Sequence, residues 1–275
     1  MATQDTKFEF NNLIHLQKKE IPQMINRIVS TLCLAALAVA ITPNASEAQD
    51  LNESVEEFGY YVLSHWQKDP RLKDIRPPQI ITNVNAETKV LGACSGMSNG
   101  QVNDDVGGTS YCTGTNTIYV VQDQLKPLFK HYGPASIGYV LAHEYGHYLQ
   151  GAFEIPFEKV VSELQADCLA GAILGQGAKE LGIKARDVMN MSQAAYTIGD
   201  PNHGDGAQRA YAVYAGFGYS KELSCSTDDM KKLFNGSVTD PTYQKLASQR
   251  SSNGVDVDKP QTHLKSISNS LLEGL

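Results

Sequence analysis

Residues 141–150 read LAHEYGHYLQ, a proline-free segment in which two histidines and a glutamate interrupt an otherwise apolar, helix-compatible sequence. His143 and His147 are four residues apart, so in a helix both imidazoles project from one face and can reach a single ion. Glu144 lies beside them, where its carboxylate could take a proton from a water molecule bound to that ion. The segment therefore predicts a helix that presents a metal site on one face.

A second segment, SELQADCLAG at residues 162–171, supplies acidic residues one helical turn apart. Zinc prefers about four ligands, and a catalytic site leaves one position for water. Glu163 is predicted to be the third protein ligand, with Asp167 hydrogen-bonded to a ligand imidazole. A solvated acidic face is the alternative, but the neighbouring residues are mostly apolar. A third histidine just downstream is excluded, because Gln150 and Phe153 occupy those positions.

Upstream of these segments the sequence favours short strands. An amphipathic helix is predicted at residues 52–67, followed by β-type runs at 80–84 and 90–93 and a Gly/Asn/Asp-rich loop at 95–108. The run TIYVV at residues 117–121 predicts a strand. It is interpreted either as an ordinary core strand or as a cleft wall whose edge pairs with an extended peptide.

Downstream, helical patterns dominate. Helices are predicted at residues 134–150, 157–174, 185–198, 206–218 and 227–234. Short strands followed by helices indicate one α+β domain, with a small N-terminal sheet and a mainly helical part that carries the two histidines.

The bulk composition excludes several classes of protein. The chain has 275 residues, 41% of them hydrophobic, and a net charge of −7. This is enough apolar sequence for a substantial core. Because no basic block is present, a nucleic-acid partner is not expected.

The N-terminal region has the pattern of an export signal. Residues 28–41 form an apolar run of about 14 residues, shorter than the roughly 20 of a membrane span, and small residues follow it. We therefore expect residues 1–23 to be an extension, 24–48 a cleaved signal peptide, 49–248 a single domain and 249–275 a poorly ordered tail. The mature protein is expected in the periplasm or the medium, without a stable membrane anchor.

Signal cleavage leaves an even number of cysteines for an oxidising compartment. Cys94, Cys112, Cys168 and Cys225 allow three pairings. Cys94–Cys112 and Cys168–Cys225 are preferred because each closes a local loop. Zinc binding by these cysteines is the alternative, although the chain has no closely spaced C-x2-C pair.

These motifs resemble those of the bacterial neutral zinc metallopeptidases. The similarity covers residues 90–230 and includes LAHEYGHYLQ, SELQADCLAG and GDPNHGDGAQRAYAVYAGFGY, with Cys94, Cys112 and Cys225 around them. The resemblance implies a zincin-like fold and hydrolysis of peptide bonds. Matched residue by residue, it implies zinc ligation by His143, His147 and Glu163, with Glu144 as the general base.

The resemblance also directs attention to His203 and Arg209. It implies that His203 lies near the metal to stabilise an oxyanion or hold substrate, and that Arg209 orients an acidic residue. Without the resemblance, His203 would be interpreted as a loop histidine at the start of a helix and Arg209 as a surface arginine. Asp205 and Gly206 differ from the hydroxyl residues common in the family, and Tyr148 replaces a frequent histidine.

The expected function is that of an exported zinc metalloendopeptidase with one Zn²⁺ per chain and a polypeptide substrate. Two alternatives remain open, namely a zinc-stabilised protein that binds extended peptides without cutting them, and an envelope interaction protein with a degenerate site. Glu144 favours the peptidase, because a structural metal has no use for a base.

Overall fold

A computed structural model describes residues 43–66, 69–90 and 104–249 of the chain. The elements, in order, are α1 (Pro43–Trp66), β1 (Gln79–Val84), β2 (Lys89–Val90), β3 (Asp104–Asp105), β4 (Ser110–Cys112), β5 (Thr117–Val121), α2 (Gln122–Tyr132), α3 (Pro134–Ala152), α4 (Val160–Gln176), α5 (Ala185–Thr197), α6 (Gly206–Gly216), α7 (Thr227–Phe234) and α8 (Pro241–Ser248). The α+β class is confirmed. The predicted extension, residues 24–42 of the predicted signal segment and residues 250–275 of the predicted tail lie outside the described residues.

The strand TIYVV is confirmed as β5, and it lies in the middle of a sheet. Within the described residues, β5 pairs with β1 in parallel and with β4 antiparallel, in the order β1-β5-β4. All five of its residues are buried. The expectation that its edge could pair with a peptide is wrong, because both edges already have partners.

Several short or atypical elements differ from the sequence prediction. Asp104–Asp105 form β3, which pairs with β2, where a loop was predicted. Two helices, α2 and α8, were not predicted. Pro127 lies inside α2 and obscures its pattern, although Leu125, Leu128 and Tyr132 form its buried face. In α8, the Asp240 side chain accepts a hydrogen bond from Thr242 N and caps the helix.

The long helices agree closely with expectation. Helix α3 ends two residues after its predicted end, and α4 begins at Val160 rather than at residue 157. Helix α5 ends one residue early, α6 ends two residues early, and α7 has its predicted bounds. Gly133 precedes α3 with a φ of +73°, a conformation that suits glycine, and Pro134 begins the helix. One hydrophobic cluster extends from Leu51 in α1 to Leu246 in α8.

Small residues allow α4 and α6 to pack at backbone distance. A Cβ atom added at Gly171 would lie 2.3 Å from the carbonyl oxygen of Val213. One added at Gly216 would lie 2.0 Å from the carbonyl oxygen of Cys168. The atoms that a Cβ would meet belong to the main chain and cannot move aside as a flexible side chain can. Glycine at these two positions therefore allows the two helices to lie this close together.

One of the two predicted disulfides is confirmed. Cys168 in α4 is bonded to Cys225, just before α7, across a separation of 57 residues. Cys112 is buried at the end of β4. Its predicted partner, Cys94, lies outside the described residues, so that pairing stays a prediction. None of the helices in the described part of the chain has the length and apolar character needed to cross a membrane.

Gly171→Ala is expected to destabilise the protein, because the added methyl group meets main-chain atoms of α6. Overpacking of this kind costs about 1–3 kcal/mol or more. The matched control is Gly151→Ala in α3, where an added Cβ has nothing within 4 Å and helix propensity favours alanine by up to about 1 kcal/mol. Urea unfolding measures both. Equal midpoints for the two variants would contradict the packing argument.

Replacing Cys168 and Cys225 together by alanine should lower the unfolding free energy by about 4 kcal/mol, the chain-entropy value for closing a loop of this length. Urea unfolding without reductant measures the difference. Because the effect comes from the cross-link, adding reductant to the wild type should reproduce most of it. A double variant as stable as the oxidised wild type would argue against the bond.

Candidate metal centre

The helices α3 and α4 approach each other closely at Gly146. A Cβ atom added there would lie 3.1 Å from both Cα and the carbonyl oxygen of Ala166, which is fully buried. Gly146 lies between the two histidines of α3, and Ala166 lies between the two acidic residues of α4. This contact therefore places the acidic side chains of one helix against the imidazoles of the other.

Three ligand atoms meet at this contact in a nearly equilateral triangle. His143 Nε2 and His147 Nε2 are 3.2 Å apart, and each lies 3.3 Å from Glu163 Oε2. Donor atoms held about 2.0–2.1 Å from a tetrahedral ion are about 3.3–3.4 Å apart. The arrangement thus fits a metal ion with three protein ligands and leaves a fourth position for another ligand.

The carboxylate of Glu163 supports this interpretation independently. Its Oε2 atom is buried and has no hydrogen-bond partner in the structure. Burial opposes its ionisation, but the adjacent imidazoles of His143 and His147 hold the pKa of Glu163 far below its usual range. A buried, ionised oxygen beside two imidazole nitrogens has the chemistry of a candidate cation ligand. Among the described residues, these three side chains are also the one group of three or more His, Cys, Asp or Glu residues whose ligand atoms lie close enough together to hold a metal ion.

Asp167 lies behind the first histidine, as predicted. Its Oδ1 atom is 2.7 Å from His143 Nδ1 and accepts a 2.6 Å hydrogen bond from the hydroxyl of Tyr139. Arg209 donates from Nε to Oδ2 at 2.8 Å and from a terminal nitrogen to Oδ1 at 2.9 Å. Arg209 therefore orients an acidic residue, as the resemblance implied, and is buried rather than on the surface.

The charges in this group support one another. Burial would raise the pKa of Asp167, but the charges of Arg209 and His143 outweigh it and hold that pKa at about 2. Burial likewise opposes protonation of His143, yet the carboxylate of Asp167 raises its pKa to about 10. Asp167 is consequently a permanent anion that makes the imidazole of His143 a strong base, and a strongly basic imidazole is a good metal ligand.

Glu144, the predicted base, lines the cavity beside the three ligand atoms. Its Oε2 atom accepts a 2.7 Å hydrogen bond from the backbone N–H of Tyr111 in β4. The cavity has a volume of about 830 Å³, and its lining includes β4, α2, α3 and residues 198–203. One carboxylate oxygen is thus held by the sheet, while the other remains for a water or a substrate.

His203 lines the same cavity from the turn before α6. Its Nδ1 atom is 2.7 Å from Asp200 Oδ2, and Asp200 Oδ1 also accepts from the backbone N–H groups of Asn202 and His203. About half of the His203 side chain is exposed. The hydrogen bonds of this turn fix the orientation of the imidazole ring, and Nε2 is the ring nitrogen that can contact a ligand in the cavity. Asp205 has a structural role, since its side chain caps α6 through Gln208 N.

Sequence reasoning missed several contributors to the site. Tyr139 and Gln150 lie on α3, four residues before His143 and three after His147, and helical spacing alone could have indicated both. Gln150 Oε1 is 2.9 Å from His147 Nδ1. Tyr111 takes part through its backbone, for which no side-chain signal exists.

Comparisons with known proteins add little about function. No family model matches the chain, and no solved structure matches it. The chain is 28% identical to the uncharacterized protein YpfJ of Escherichia coli strain K12, over 44% of this chain and 54% of that protein. The protein of the same name from Escherichia coli O6:H1 strain CFT073 matches to the same extent. The chain thus spans about half the length of the curated relatives it matches.

Arg209→Met should lower the unfolding free energy by about 3–5 kcal/mol, because it leaves the carboxylate of Asp167 buried with too few donors. The matched control is Arg71→Met, which removes a partly exposed ion pair with Asp69 and should cost at most about 1 kcal/mol. Chemical unfolding in the presence of a chelator measures both. Similar losses in the two variants would show that the Arg209 pair contributes no more than a surface pair.

Proposed function

We propose that this protein is a zinc-dependent metallopeptidase with a zincin-like fold, a member of the neutral zinc metallopeptidases, that hydrolyses peptide bonds. The observation that carries the proposal is the triangle of His143 Nε2, His147 Nε2 and Glu163 Oε2, with sides of 3.2–3.3 Å, beside the carboxylate of Glu144. Two imidazoles and a carboxylate are a known ligand set of catalytic zinc, and the open fourth position distinguishes such sites from structural ones.

Zinc held by these residues would lower the pKa of its bound water toward 7 and polarise a carbonyl group. Glu144 takes the proton of the attacking water and delivers it to the leaving amine. The hydrogen bond from Tyr111 N fixes one oxygen of Glu144, so the proton is exchanged through the other. Glu144 therefore acts from a fixed position between the sheet and the ligand histidines.

His203 stabilises the charge that develops on the carbonyl oxygen. Asp200 Oδ2 accepts a hydrogen bond from Nδ1 of this ring, so Nε2 is the nitrogen left to contact the substrate. A ring fixed in this way by a carboxylate can hydrogen-bond through Nε2 to the carbonyl oxygen as that oxygen becomes an oxyanion. The pair therefore has the chemistry of an oxyanion-stabilising group within the same cavity.

The substrate is an extended polypeptide. The strand β4 is an edge strand of its three-stranded sheet in the described structure, and residues from it line the cavity. Tyr111 N–H bonds Glu144 and not β5, so this edge of β4 lies against the cavity. A peptide strand can add to such an edge through backbone hydrogen bonds.

We also propose that the protein is exported to the periplasm or the medium. The bond between Cys168 and Cys225 supports this, because disulfides persist in oxidising compartments.

The Glu144→Gln variant tests the reaction. It should bind one zinc ion per chain, as the wild type does, because Glu144 is not one of the three ligands. Its cleavage of an unfolded protein should fall about 10²–10⁴-fold through loss of the base. Glu87→Gln, the same change at an exposed position, should leave both properties intact.

Zinc is quantified by elemental analysis, and cleavage by mass spectrometry of the digest with and without chelator. Full activity in the Glu144→Gln variant would refute the assigned base. Zinc binding without cleavage by any of the proteins would favour a peptide-binding protein with a structural metal.

A further inference from the structure

The second histidine, His147, is held differently from the first. His143 faces a carboxylate, whereas His147 Nδ1 lies 2.9 Å from the side-chain oxygen of Gln150. An amide can offer an imidazole either an oxygen or an N–H group, and the two choices select opposite tautomers of the ring. The direction of the Gln150 amide therefore decides which nitrogen of His147 carries the proton.

The structure fixes that direction. Gln150 Nε2 is 2.7 Å from the carbonyl oxygen of Ser162 and 3.0 Å from Gln165 Oε1. A main-chain carbonyl can only accept. If Gln150 were flipped, its oxygen would face the oxygen of Ser162, so the nitrogen must lie on that side and the oxygen must face His147.

The second amide is fixed in the same way. Gln165 Nε2 lies 3.0 Å from the carbonyl oxygen of Cys225 and 3.3 Å from Thr227 Oγ1. The carbonyl oxygen of Cys225 also can only accept, so Gln165 must present its oxygen to Gln150. Two main-chain carbonyls, those of Ser162 and Cys225, thus determine the polarity of the whole chain of hydrogen bonds.

Burial makes this polarity costly to reverse. Gln150 is 6% exposed and Gln165 is 3% exposed, so water cannot readily replace a mismatched partner. Leaving a buried donor or acceptor unsatisfied costs about 1–3 kcal/mol. The residue Cys225 is itself bonded to Cys168 in α4, the helix that carries Gln165. The end of the chain of amides is therefore anchored covalently to the same helix.

We propose that Gln150 and Gln165 are positioning residues that hold His147 in its metal-binding tautomer. With Gln150 Oε1 as the acceptor, Nδ1 carries the proton, and the lone pair of Nε2 points toward His143 Nε2 and Glu163 Oε2. The inference rests on the proposed function only for the identity of the metal, because the tautomer is set by the protein's own amides.

Gln150→Leu tests the proposal by two measurements that need no catalysis. Zinc affinity, measured by competition with a chelator, should fall about 10–100-fold, the usual loss when the partner of a ligand histidine is removed. In metal-free protein labelled with ¹⁵N-histidine, long-range ¹H–¹⁵N spectra should show a proton on Nδ1 of His147 in the wild type, and a loss of that fixed Nδ1 proton in the variant. A His147→Asn variant assigns the signal.

Two further variants separate positioning from general damage to the fold. Gln165→Leu keeps the contact between Gln150 and His147 but removes the acceptor behind it, so its loss of zinc affinity should have the same direction and a smaller size. Gln244→Leu in α8 removes a comparable amide bond, to the carbonyl oxygen of Val238, and should leave zinc affinity and the His147 signal unchanged.

The outcomes are distinguishable from those for the proposed function. If Gln150→Leu binds zinc as the wild type does and keeps the Nδ1–H signal, the proposal is overturned. It is also overturned if wild-type His147 carries no proton at Nδ1. If the tautomer and its dependence on Gln150 are as expected while no peptide is cleaved, the peptidase function fails and the positioning role stands.

Discussion

The buried carboxylate of Asp167 is the interaction on which the rest of the structure depends. It is fully buried and is contacted by His143 and Tyr139 from α3 and by Arg209 from α6, with four hydrogen bonds to its two oxygens. A buried charge is tolerated only when it is paired and hydrogen-bonded. Satisfying Asp167 therefore requires α3, α4 and α6 to adopt one arrangement, and that arrangement also brings together the candidate metal ligands.

The helix α4 shows how one element can serve several partners. It is mostly buried and packs against α3, α6 and α7. Because buried polar groups need partners, four of its residues are each committed to a different neighbour. Glu163 faces His143 and His147, Gln165 accepts a hydrogen bond from Gln150 of α3, Asp167 pairs with Arg209 of α6, and Cys168 forms the disulfide with Cys225. Glycines at the contacts with α3 and α6 allow the approach that these short bonds require.

The sequence predicted those features that local spacing determines. The long helices and the strand β5 have clear apolar periods, and the ligand group follows from residues four apart in two consecutive helices. The features that were missed lack such signals. The strands β3 and β4 are too short to show a period, and Pro127 disguises α2. The contact between Arg209 and Asp167 spans 42 residues, so spacing cannot encode it, and only the family resemblance indicated a role for Arg209.

The distribution of charge explains why two similar acidic residues of α4 have different roles. Arg209 donates two hydrogen bonds to the carboxylate of Asp167. The same carboxylate also bonds His143 Nδ1, so Asp167 is fully used in orienting that histidine. In the described structure, Glu163 has no such guanidinium partner, and its Oε2 atom is buried without a hydrogen bond. With His143 neutral, as it is when bound to a metal, the three carboxylates of Glu144, Glu163 and Asp167 and the one guanidinium of Arg209 leave two formal negative charges. A divalent cation at the ligand group balances them, and metal binding should accordingly stabilise the folded state. Arg209 thus decides which of the two acidic residues remains free to bind the metal.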